Sequence, residues 1–147
     1  MRVGYACVNT QLPSASRTLR LANLSEERLR ELIAANLDAL EAILHWNIEH
    51  ELFVFRLSSE TVPFGSHEAN TLRWREELTE RFAALGTLMR EAGMGISTHP
   101  GQFTVLGSPR EELVAASVAE VEYHARLLAA FELDPSHKVV VHGGGVY

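Results

Sequence analysis

The sequence contains little cysteine, no excess of positive charge and no long hydrophobic run. Cys7 is the only cysteine among 147 residues, so no disulfide forms within the chain and a reducing, cytoplasmic location is expected. No apolar stretch approaches the roughly 20 residues of a membrane-spanning helix, and we expect no signal peptide. Lysine and arginine total 13 against 19 acidic residues. This balance argues against nucleic-acid binding through bulk charge, but it leaves open a local groove of cations or metal ions.

Short apolar stretches alternate with longer segments in which apolar residues recur at intervals of three and four. The strands are expected at residues 3–7, 52–57, 95–99 and 138–142, and the helices at residues 25–50, 71–92 and 108–131. Three strand–helix units followed by a strand are typical of an α/β fold with a parallel sheet and right-handed crossovers. The first strand is expected to be buried. The second is almost continuously apolar, which is typical of a strand that is covered on both faces.

Three sequence signals predict where the helices begin and end. Ser25 is an N-cap residue, followed by two glutamates in the first turn, where the helix dipole favours negative charge. The second helix is expected to run without interruption until Gly93 ends it. Residues 108–111, Ser-Pro-Arg-Glu, have the form of a capping box with proline at the first helical position, and they predict the start of the third helix.

The four predicted strands, with the helices between them, make up half of a (β/α)8 barrel. Such a barrel usually needs about 250 residues, whereas this chain has 147. An open four-stranded sheet would leave its edges and one apolar face exposed. We therefore expect either a fragment of a longer protein or a half-barrel that associates with copies of itself.

Two histidines stand at the ends of predicted strands, where the functional groups of parallel sheets collect. His99 is followed by Pro100 and Gly101, and His142 is followed by Gly143. Either histidine alone is as readily a hydrogen-bonded core residue, but the two together favour a site for zinc, manganese or iron. Two ligands do not complete a hydrolytic metal cluster. The remaining ligands are expected from beyond Tyr147 or from another chain.

Other residues near these strand ends have two possible interpretations. His67 either packs its loop or contacts a phosphate, and Gln102 and Phe103 either pack their loop or meet a base by hydrogen bonding and stacking. Tyr5 and Asn9 end or follow the first strand. The remaining histidines are expected on helices or at the opposite edge of the sheet, and they are His45, His50, His124 and His137.

Several segments together resemble the UV damage endonuclease family. They are residues 3–5 (Val-Gly-Tyr) with Asn9, 17–22 (Arg-Thr-Leu-Arg-Leu-Ala), 55–59 (Phe-Arg-Leu-Ser-Ser), 63–67 (Pro-Phe-Gly-Ser-His), 99–103 (His-Pro-Gly-Gln-Phe) and 141–144 (Val-His-Gly-Gly). The resemblance extends over essentially all 147 residues. The segment at 99–103 is its most specific part.

The resemblance implies a TIM barrel, of which residues 1–147 are the amino-terminal half, and a metal-dependent DNA repair endonuclease. Members of the family recognise cyclobutane dimers, 6-4 photoproducts and abasic sites in double-stranded DNA. They cut the phosphodiester bond on the 5′ side of the lesion, an incision that begins nucleotide excision, and they use a cluster of divalent metal ions, typically manganese. The chain alone is expected to be inactive, because the carboxylates and histidines of the family's second half are absent.

The resemblance also implies roles for three histidines. His99 and His142 correspond to ligands of the metal cluster. His67 corresponds to the histidine beside the scissile phosphate and is therefore the predicted catalytic residue. The chain therefore supplies only part of the metal site. The presence of just two strand-end histidines leads to the same conclusion.

Four further residues correspond to positions that contact DNA in the family. Gln102 and Phe103 correspond to the pair that probes the duplex opposite the lesion, and Tyr5 and Asn9 correspond to residues on the lesion side. Phenylalanine stands where the family commonly has tyrosine. Stacking on a base is kept by this change, whereas a hydroxyl contact is lost.

Two other functions remain open. A sugar isomerase or epimerase uses the same barrel and the same kinds of metal, and it would turn over a sugar without affinity for DNA. A half-barrel that assembles without catalysing a reaction is the other alternative, and light scattering would detect its association. Under the first interpretation the partner is damaged double-stranded DNA, and none of the three involves a membrane.

Overall fold

The structure, a computed structural model, describes residues 1–143, so Gly144 and Gly145 of the predicted glycine turn lie outside it. The strands are β1 (Gly4–Ala6), β2 (Val54–Leu57), β3 (Gly95–Thr98) and β4 (Lys138–Val139). The α-helices are α1 (Glu26–Glu49), α2 (Trp74–Glu77), α3 (Thr79–Glu91) and α4 (Glu111–Ala130), with short 3-10 helices at Leu21–Asn23 and Ser59–Thr61. Among the described residues, no helix combines the length and the apolar character that crossing a membrane requires.

The four strands form one parallel sheet in the order β1-β2-β3-β4. Tyr5, Phe55 and Ile96 stand level across the first three strands, and Leu57 pairs with Thr98 further along. Sequential parallel strands joined by helical crossovers are the arrangement of one half of a (β/α)8 barrel. The predicted α/β fold with four parallel strands is therefore confirmed.

Within residues 1–143, the helices cover one face of this sheet. Phe55, Leu57 and Ile96 are buried on that face, whereas Val54 on the other face is 37% exposed. In β1, both Gly4 and Ala6 are exposed. The predictions that β1 is buried and that β2 is covered on both faces are wrong, because an apolar run does not reveal whether a second layer is present to cover it.

Helix α1 packs along the covered face and confirms the predicted helix of residues 25–50. The hydroxyl oxygen of Ser25 accepts a hydrogen bond from the backbone N–H of Arg28 at 3.2 Å, which satisfies a donor of the first turn. Glu26 and Glu27 lie in that turn. The buried face of the helix recurs at intervals of three and four and contains Leu29, Ile33, Leu37, Leu40, Ile43 and Leu44.

The segment predicted as one helix over residues 71–92 is divided into α2 and α3. Leu78 between them leaves helical geometry, with φ −115° and ψ 20°. The Thr79 hydroxyl donates to the carbonyl oxygens of Arg75 at 2.6 Å and Glu76 at 3.1 Å. A threonine that bonds to the preceding turn tends to bend a helix, so the prediction of an uninterrupted helix is wrong. The predicted stop is confirmed, since Gly93 follows the helix with φ 63°.

Helix α4 begins at Glu111 and not at the proline that was predicted to open it. Its N-cap residue is Arg110, which makes no capping hydrogen bond through its side chain. The hydroxyl oxygen of Ser108 instead accepts from the backbone N–H of Arg110 at 3.2 Å, which forms a local turn before the helix. The predicted capping box is therefore wrong, whereas the predicted end near Phe131 is confirmed, because Phe131 is the C-cap residue.

The two strands that carry histidines are shorter than predicted. Strand β3 ends at Thr98, one residue before His99, and β4 contains only Lys138 and Val139. Pro100 has no backbone N–H to continue the ladder beyond β3. Both histidines consequently lie on the segments that follow the strands, close to their predicted places.

An aromatic cluster fixes α2, α3 and α4 to one another. The ring centroid of Phe82 lies 5.0 Å from that of Phe131 and 5.4 Å from that of Trp74. Trp74 in turn lies 6.4 Å from Tyr123 of α4. All four side chains are buried. This packing positions α4 beneath the loops that follow β2 and β3.

Candidate active site at the carboxyl ends of the strands

His99 and His142 lie next to each other beyond the carboxyl ends of β3 and β4. Their ring centroids are 4.7 Å apart and their planes are inclined by 80°. The backbone N–H of Val140 donates to the carbonyl oxygen of Thr98 at 2.9 Å, which brings the two segments alongside each other. His99 is half-buried and His142 is exposed. The structure thus brings together the two residues predicted as metal ligands.

The chemistry of this pair fits a divalent transition-metal ion, because imidazole nitrogens are common ligands of zinc, manganese and iron. Across residues 1–143, however, no group of three or more histidine, cysteine, aspartate or glutamate side chains is arranged to hold a metal ion. A cluster built on His99 and His142 would take its other ligands from outside the described residues. Manganese stays a prediction.

His67 lies on the loop after β2, in a turn that its own side chain helps to fix. The backbone N–H of Ala69 donates to Nδ1 of His67 at 3.0 Å, so the neutral ring carries its proton on Nε2. The backbone N–H of His67 donates to the carbonyl oxygen of Phe64 at 3.0 Å, and Phe64 adopts the left-handed conformation with φ 56°. The ring is exposed. His67 can therefore donate a hydrogen bond from Nε2 to an anionic oxygen.

A pocket of about 310 Å³ opens beside His67. It lies between the loops that follow β1 and β2 and one face of α4. Its polar lining residues, besides His67, are Thr18, Ser59, Glu60, Ser66, Glu120 and Tyr123. Two carboxylates and a histidine thus share one pocket.

Each carboxylate oxygen of Glu120 has a polar neighbour within this pocket. Its Oε2 accepts a hydrogen bond from the hydroxyl of Ser66, and its Oε1 lies 3.3 Å from Nε2 of His124. The His124 ring is 0% exposed, and within the described residues neither of its nitrogens makes a well-directed hydrogen bond. The His124 contact is the main cause that lowers the pKa of the Glu120 carboxyl, with burial opposing it and the Ser66 hydroxyl adding to it.

The pKa of Glu60, the other carboxylate of this pocket, shifts in the opposite direction. Burial raises the pKa of its carboxyl, contact with Thr18 lowers it, and the charge of Glu120 raises it further, with a net rise. A carboxyl whose pKa is higher in the folded than in the unfolded state contributes to the stability of the fold. This contribution is complete at pH values below the unfolded-state pKa. That contribution is lost as the pH rises through the folded pKa.

Replacement of Glu60 by glutamine is therefore expected to raise the melting temperature at about pH 8 by a few degrees at most and to leave it unchanged at about pH 4. The neutral amide avoids the desolvation of a carboxylate. Scanning calorimetry at both pH values, on the protein at the length its gene encodes, measures the effect. Glu122→Gln, at an exposed position on α4, is the matched control. A stabilisation that grows toward low pH would contradict the prediction.

Gln102 and Phe103 lie at the tip of the loop after β3. Phe103 is 83% exposed, so its ring does not pack its own loop. Behind the tip, the backbone N–H of Val105 donates to the hydroxyl oxygen of Ser117 on α4 at 2.8 Å. An exposed flat ring on an anchored loop is able to stack on a nucleic-acid base.

The side chains of Tyr5 and Asn9 are hydrogen-bonded to each other on the covered side of the sheet. The Tyr5 hydroxyl donates to Oδ1 of Asn47 at 2.7 Å and accepts from Nδ2 of Asn9 at 3.0 Å. Cys7, with φ 55°, turns the chain back after β1, and Asn9 is only 9% exposed. No hydrogen bond or ring contact between described residues joins this pair to the two strand-end histidines. This geometry gives Tyr5 and Asn9 an internal structural role, and their contact with a lesion stays a prediction.

Sequence reasoning assigned no role to Ser66, Ser117, Glu120 or His124. His124 was expected merely on a helix, yet it is fully buried beside a carboxylate. One signal was available, because residues 117, 120 and 124 recur at the spacing of one helical face. Nothing local in the sequence shows that this face meets the loops after β2 and β3.

Four sequential parallel strands, with histidines beyond their carboxyl ends, define the chain as an α/β protein of the TIM-barrel type. The family model described as UV-endonuclease UvdE matches residues 1–147. The chain belongs to this family.

Similar proteins support the assignment. The UV DNA damage endonuclease of Clostridium perfringens is 36% identical over 150 residues, which is 100% of this chain and 36% of that protein. The UV-damage endonuclease of Neurospora crassa is 32% identical, over 99% of this chain and 28% of that protein. The solved structure described as the crystal structure of SacUVDE matches with a TM-score of 0.95 and 40% identity, over 99% of this chain and 50% of that one. The chain thus spans about a third of these two relatives and half of the solved structure.

Proposed function

We propose that the protein containing this chain is a DNA repair endonuclease, which incises the phosphodiester bond on the 5′ side of UV photoproducts and abasic lesions in double-stranded DNA. The observation that carries the proposal is the family match over residues 1–147. The meeting of His99 and His142, with ring centroids 4.7 Å apart, supports it. Activity is proposed for the longer protein, and residues 1–147 alone are proposed to be inactive.

His99 and His142 are the residues of this chain that would hold divalent metal ions, with manganese as the proposed metal. Such ions, when bound, neutralise charge on a phosphate and lower the pKa of water. The chain's own contribution is to place the two rings side by side, beyond the ends of two paired strands. His99 follows the last residue of β3 directly, and the buried Pro100 behind it restricts the backbone on both sides.

His67 would bind the scissile phosphate. Its Nδ1 accepts the Ala69 N–H, so Nε2 is the nitrogen that donates to a non-bridging oxygen. A donor held in place before the substrate arrives stabilises developing negative charge without having to reorganise. The exposed ring leaves this donor open to a DNA backbone that lies across the carboxyl ends of the strands.

Recognition of the lesion would depend on the tip formed by Gln102 and Phe103. Damaged steps cost less to unstack and kink than intact ones. Phe103 offers a face for stacking, and the Gln102 amide offers both donors and an acceptor to a base edge. Because the chain has a net charge of −6, selective affinity would come from these local groups and bound metal more than from bulk charge.

Nicking of supercoiled plasmid tests the proposal. The protein at the length its gene encodes, with manganese, is expected to convert UV-irradiated plasmid to the open circle and to leave unirradiated plasmid intact. Residues 1–147, checked for folding by circular dichroism, are expected to nick neither. Failure of the longer protein to nick irradiated plasmid overturns the proposed function. Nicking by residues 1–147 would overturn only the proposal that they are inactive, and light scattering would then show whether copies associate.

A further inference from the structure

One face of α4 presents polar side chains to the loops that follow β2 and β3. Ser117, Glu120 and His124 recur at intervals of three and four, with Tyr123 beside them. Ser117 is 3% exposed, Tyr123 1% and His124 0%. Polar groups buried to this extent normally have a partner. Ser117 and Tyr123 have partners in the two loops that carry Phe103 and His67, whereas His124 lies against Glu120 of the same helix.

The first of these contacts ends next to His67. The hydroxyl of Ser66, the residue before His67, donates to Oε2 of Glu120. Oε1 of the same carboxylate lies 3.3 Å from Nε2 of the buried His124, so the carboxylate lies between the Ser66 hydroxyl and this ring. A hydrogen bond to a charged acceptor is stronger than one between neutral groups. The orientation of the turn that presents His67 is thus tied to a residue of α4.

Tyr123 fixes the base of the same loop. Its hydroxyl donates to the carbonyl oxygen of Ser59 at 2.7 Å and accepts from the backbone N–H of Val62 at 3.2 Å. Gly65 passes so close to the ring that a Cβ there would lie 2.1 Å from a Tyr123 carbon. Tyr123 thus holds the base of the loop, and Glu120 contacts it at the end that carries Ser66 and His67.

The second loop is held by Ser117, one turn earlier on the helix. Its hydroxyl oxygen accepts from the backbone N–H of Val105 at 2.8 Å and donates to the carbonyl oxygen of Leu113 at 2.7 Å. Val105 lies two residues after the exposed Phe103. Ser117 and Glu120 are three residues apart, which is a rise of about 4.5 Å along the helix axis.

We propose that Glu120 and Ser117 are positioning residues for two different steps of the reaction. Glu120, through Ser66, sets the position of His67 and so governs the rate of incision. Ser117, through Val105, sets the tip with Gln102 and Phe103 and so governs affinity for the lesion. Neither side chain touches DNA itself. The inference rests on the proposed function, and it extends that function to residues of α4.

Single-turnover incision of a duplex with one cyclobutane dimer tests the role of Glu120, in the protein at the length its gene encodes. Glu120→Ala is expected to lower the rate at saturating protein about tenfold to a hundredfold, because small displacements of a catalytic group have effects of that size. Its Kd for the same duplex is expected to change little. Glu120→Gln keeps an oxygen that accepts the Ser66 hydroxyl and should restore most of the rate. The double variant Glu120→Ala/Ser66→Ala should be no slower than either single variant.

Ser117→Ala is expected to change the Kd for the damaged duplex more than the rate of incision. Loss of one hydrogen bond to the loop should weaken binding to the damaged duplex about threefold to tenfold, while the effect on the rate at saturating protein stays smaller than that on Kd. Glu122→Ala, at an exposed position of the same helix, is the matched control and should change neither quantity. Binding is measured by fluorescence anisotropy on damaged and undamaged duplexes.

Amide hydrogen exchange gives a readout that does not depend on activity. Glu120→Ala should speed exchange at Ala69, whose N–H donates to His67, and Ser117→Ala should speed exchange at Val105, each without affecting the other loop. Unchanged exchange at these amides overturns the inference, as does a Glu120→Gln variant that is as slow as Glu120→Ala. Equal effects of Ser117→Ala on rate and affinity also overturn it. If the unsubstituted protein neither binds nor incises damaged DNA, the proposed function fails, while exchange still decides whether α4 positions the loops.

Discussion

Incision of UV-irradiated DNA is expected to fall at least about a hundredfold when His99 is replaced by alanine in the protein at the length its gene encodes. The structure places His99 with its ring centroid 4.7 Å from that of His142, and the segment that carries it is fixed by β3. Loss of the His99 imidazole removes a proposed metal ligand, and His142 alone does not supply both nitrogen ligands. The initial rate of nicking on irradiated plasmid, measured across a series of manganese concentrations, gives the size of the loss.

The control for this experiment is a histidine of the same chain away from the strand ends. His45 lies on α1 and is exposed, so His45→Ala should keep the unsubstituted rate. Higher manganese should recover part of the activity of His99→Ala, because a weakened site is filled by mass action. Full activity of His99→Ala at limiting manganese would rule out the ligand role of this residue. Its melting temperature should stay close to that of the unsubstituted protein.

The largest loss of stability is expected for Phe82→Ala, at about 3–5 kcal/mol of the free energy of unfolding. Phe82 is 0% exposed, and its ring packs against Phe131 at 5.0 Å and Trp74 at 5.4 Å between centroids. Removal of the ring leaves a cavity where α2, α3 and α4 meet. Domains have total stabilities of only about 5–15 kcal/mol, so much of the protein would unfold in mild denaturant.

Urea denaturation followed by tryptophan fluorescence measures this loss, since Trp74 belongs to the cluster. Phe82→Leu keeps most of the buried volume and should lose clearly less than Phe82→Ala. Val118→Ala, at a side chain of α4 that is 41% exposed, should change the stability by less than about 0.5 kcal/mol. A Phe82→Ala protein as stable as this surface variant would show that the cluster does not hold the three helices together.

The parts of the fold that depend on local pattern were predictable. Helix α1 has a capping serine and a long apolar face, and its observed range Glu26–Glu49 matches the expected one. The neighbouring positions of His99 and His142 follow from two apolar runs that each end in a histidine, because parallel strands bring their carboxyl ends to the same edge. The exposure of Phe103 was not predictable, because the sequence allowed its ring either to pack its own loop or to meet a base.

The parts that depend on contacts between distant residues were not predictable. At the break at Leu78, the Thr79 hydroxyl donates a hydrogen bond to the Arg75 carbonyl oxygen of the preceding turn. A helical periodicity in the sequence does not reveal this contact. Tyr5 and Asn9 join an internal hydrogen-bond network, and Cys7 between them takes a left-handed conformation, which is unusual for a residue other than glycine. The role of Glu120 depends on Ser66, which is 54 positions away in sequence.

Separation along the chain also has a consequence for synthesis on the ribosome. Ser59 and its partner Tyr123 are 64 positions apart, and Ser66 and Glu120 are 54 apart. At translation rates of about 5–20 residues per second, the loop with His67 emerges roughly 3–13 s before the helix that anchors it. During that interval the loop lacks its hydrogen bonds to α4 and is exposed to proteases and chaperones. The nascent protein therefore gains the hydrogen bonds from this loop to Glu120 and Tyr123 only when α4 docks, so that the order of synthesis delays the completion of this edge until its supporting helix is in place.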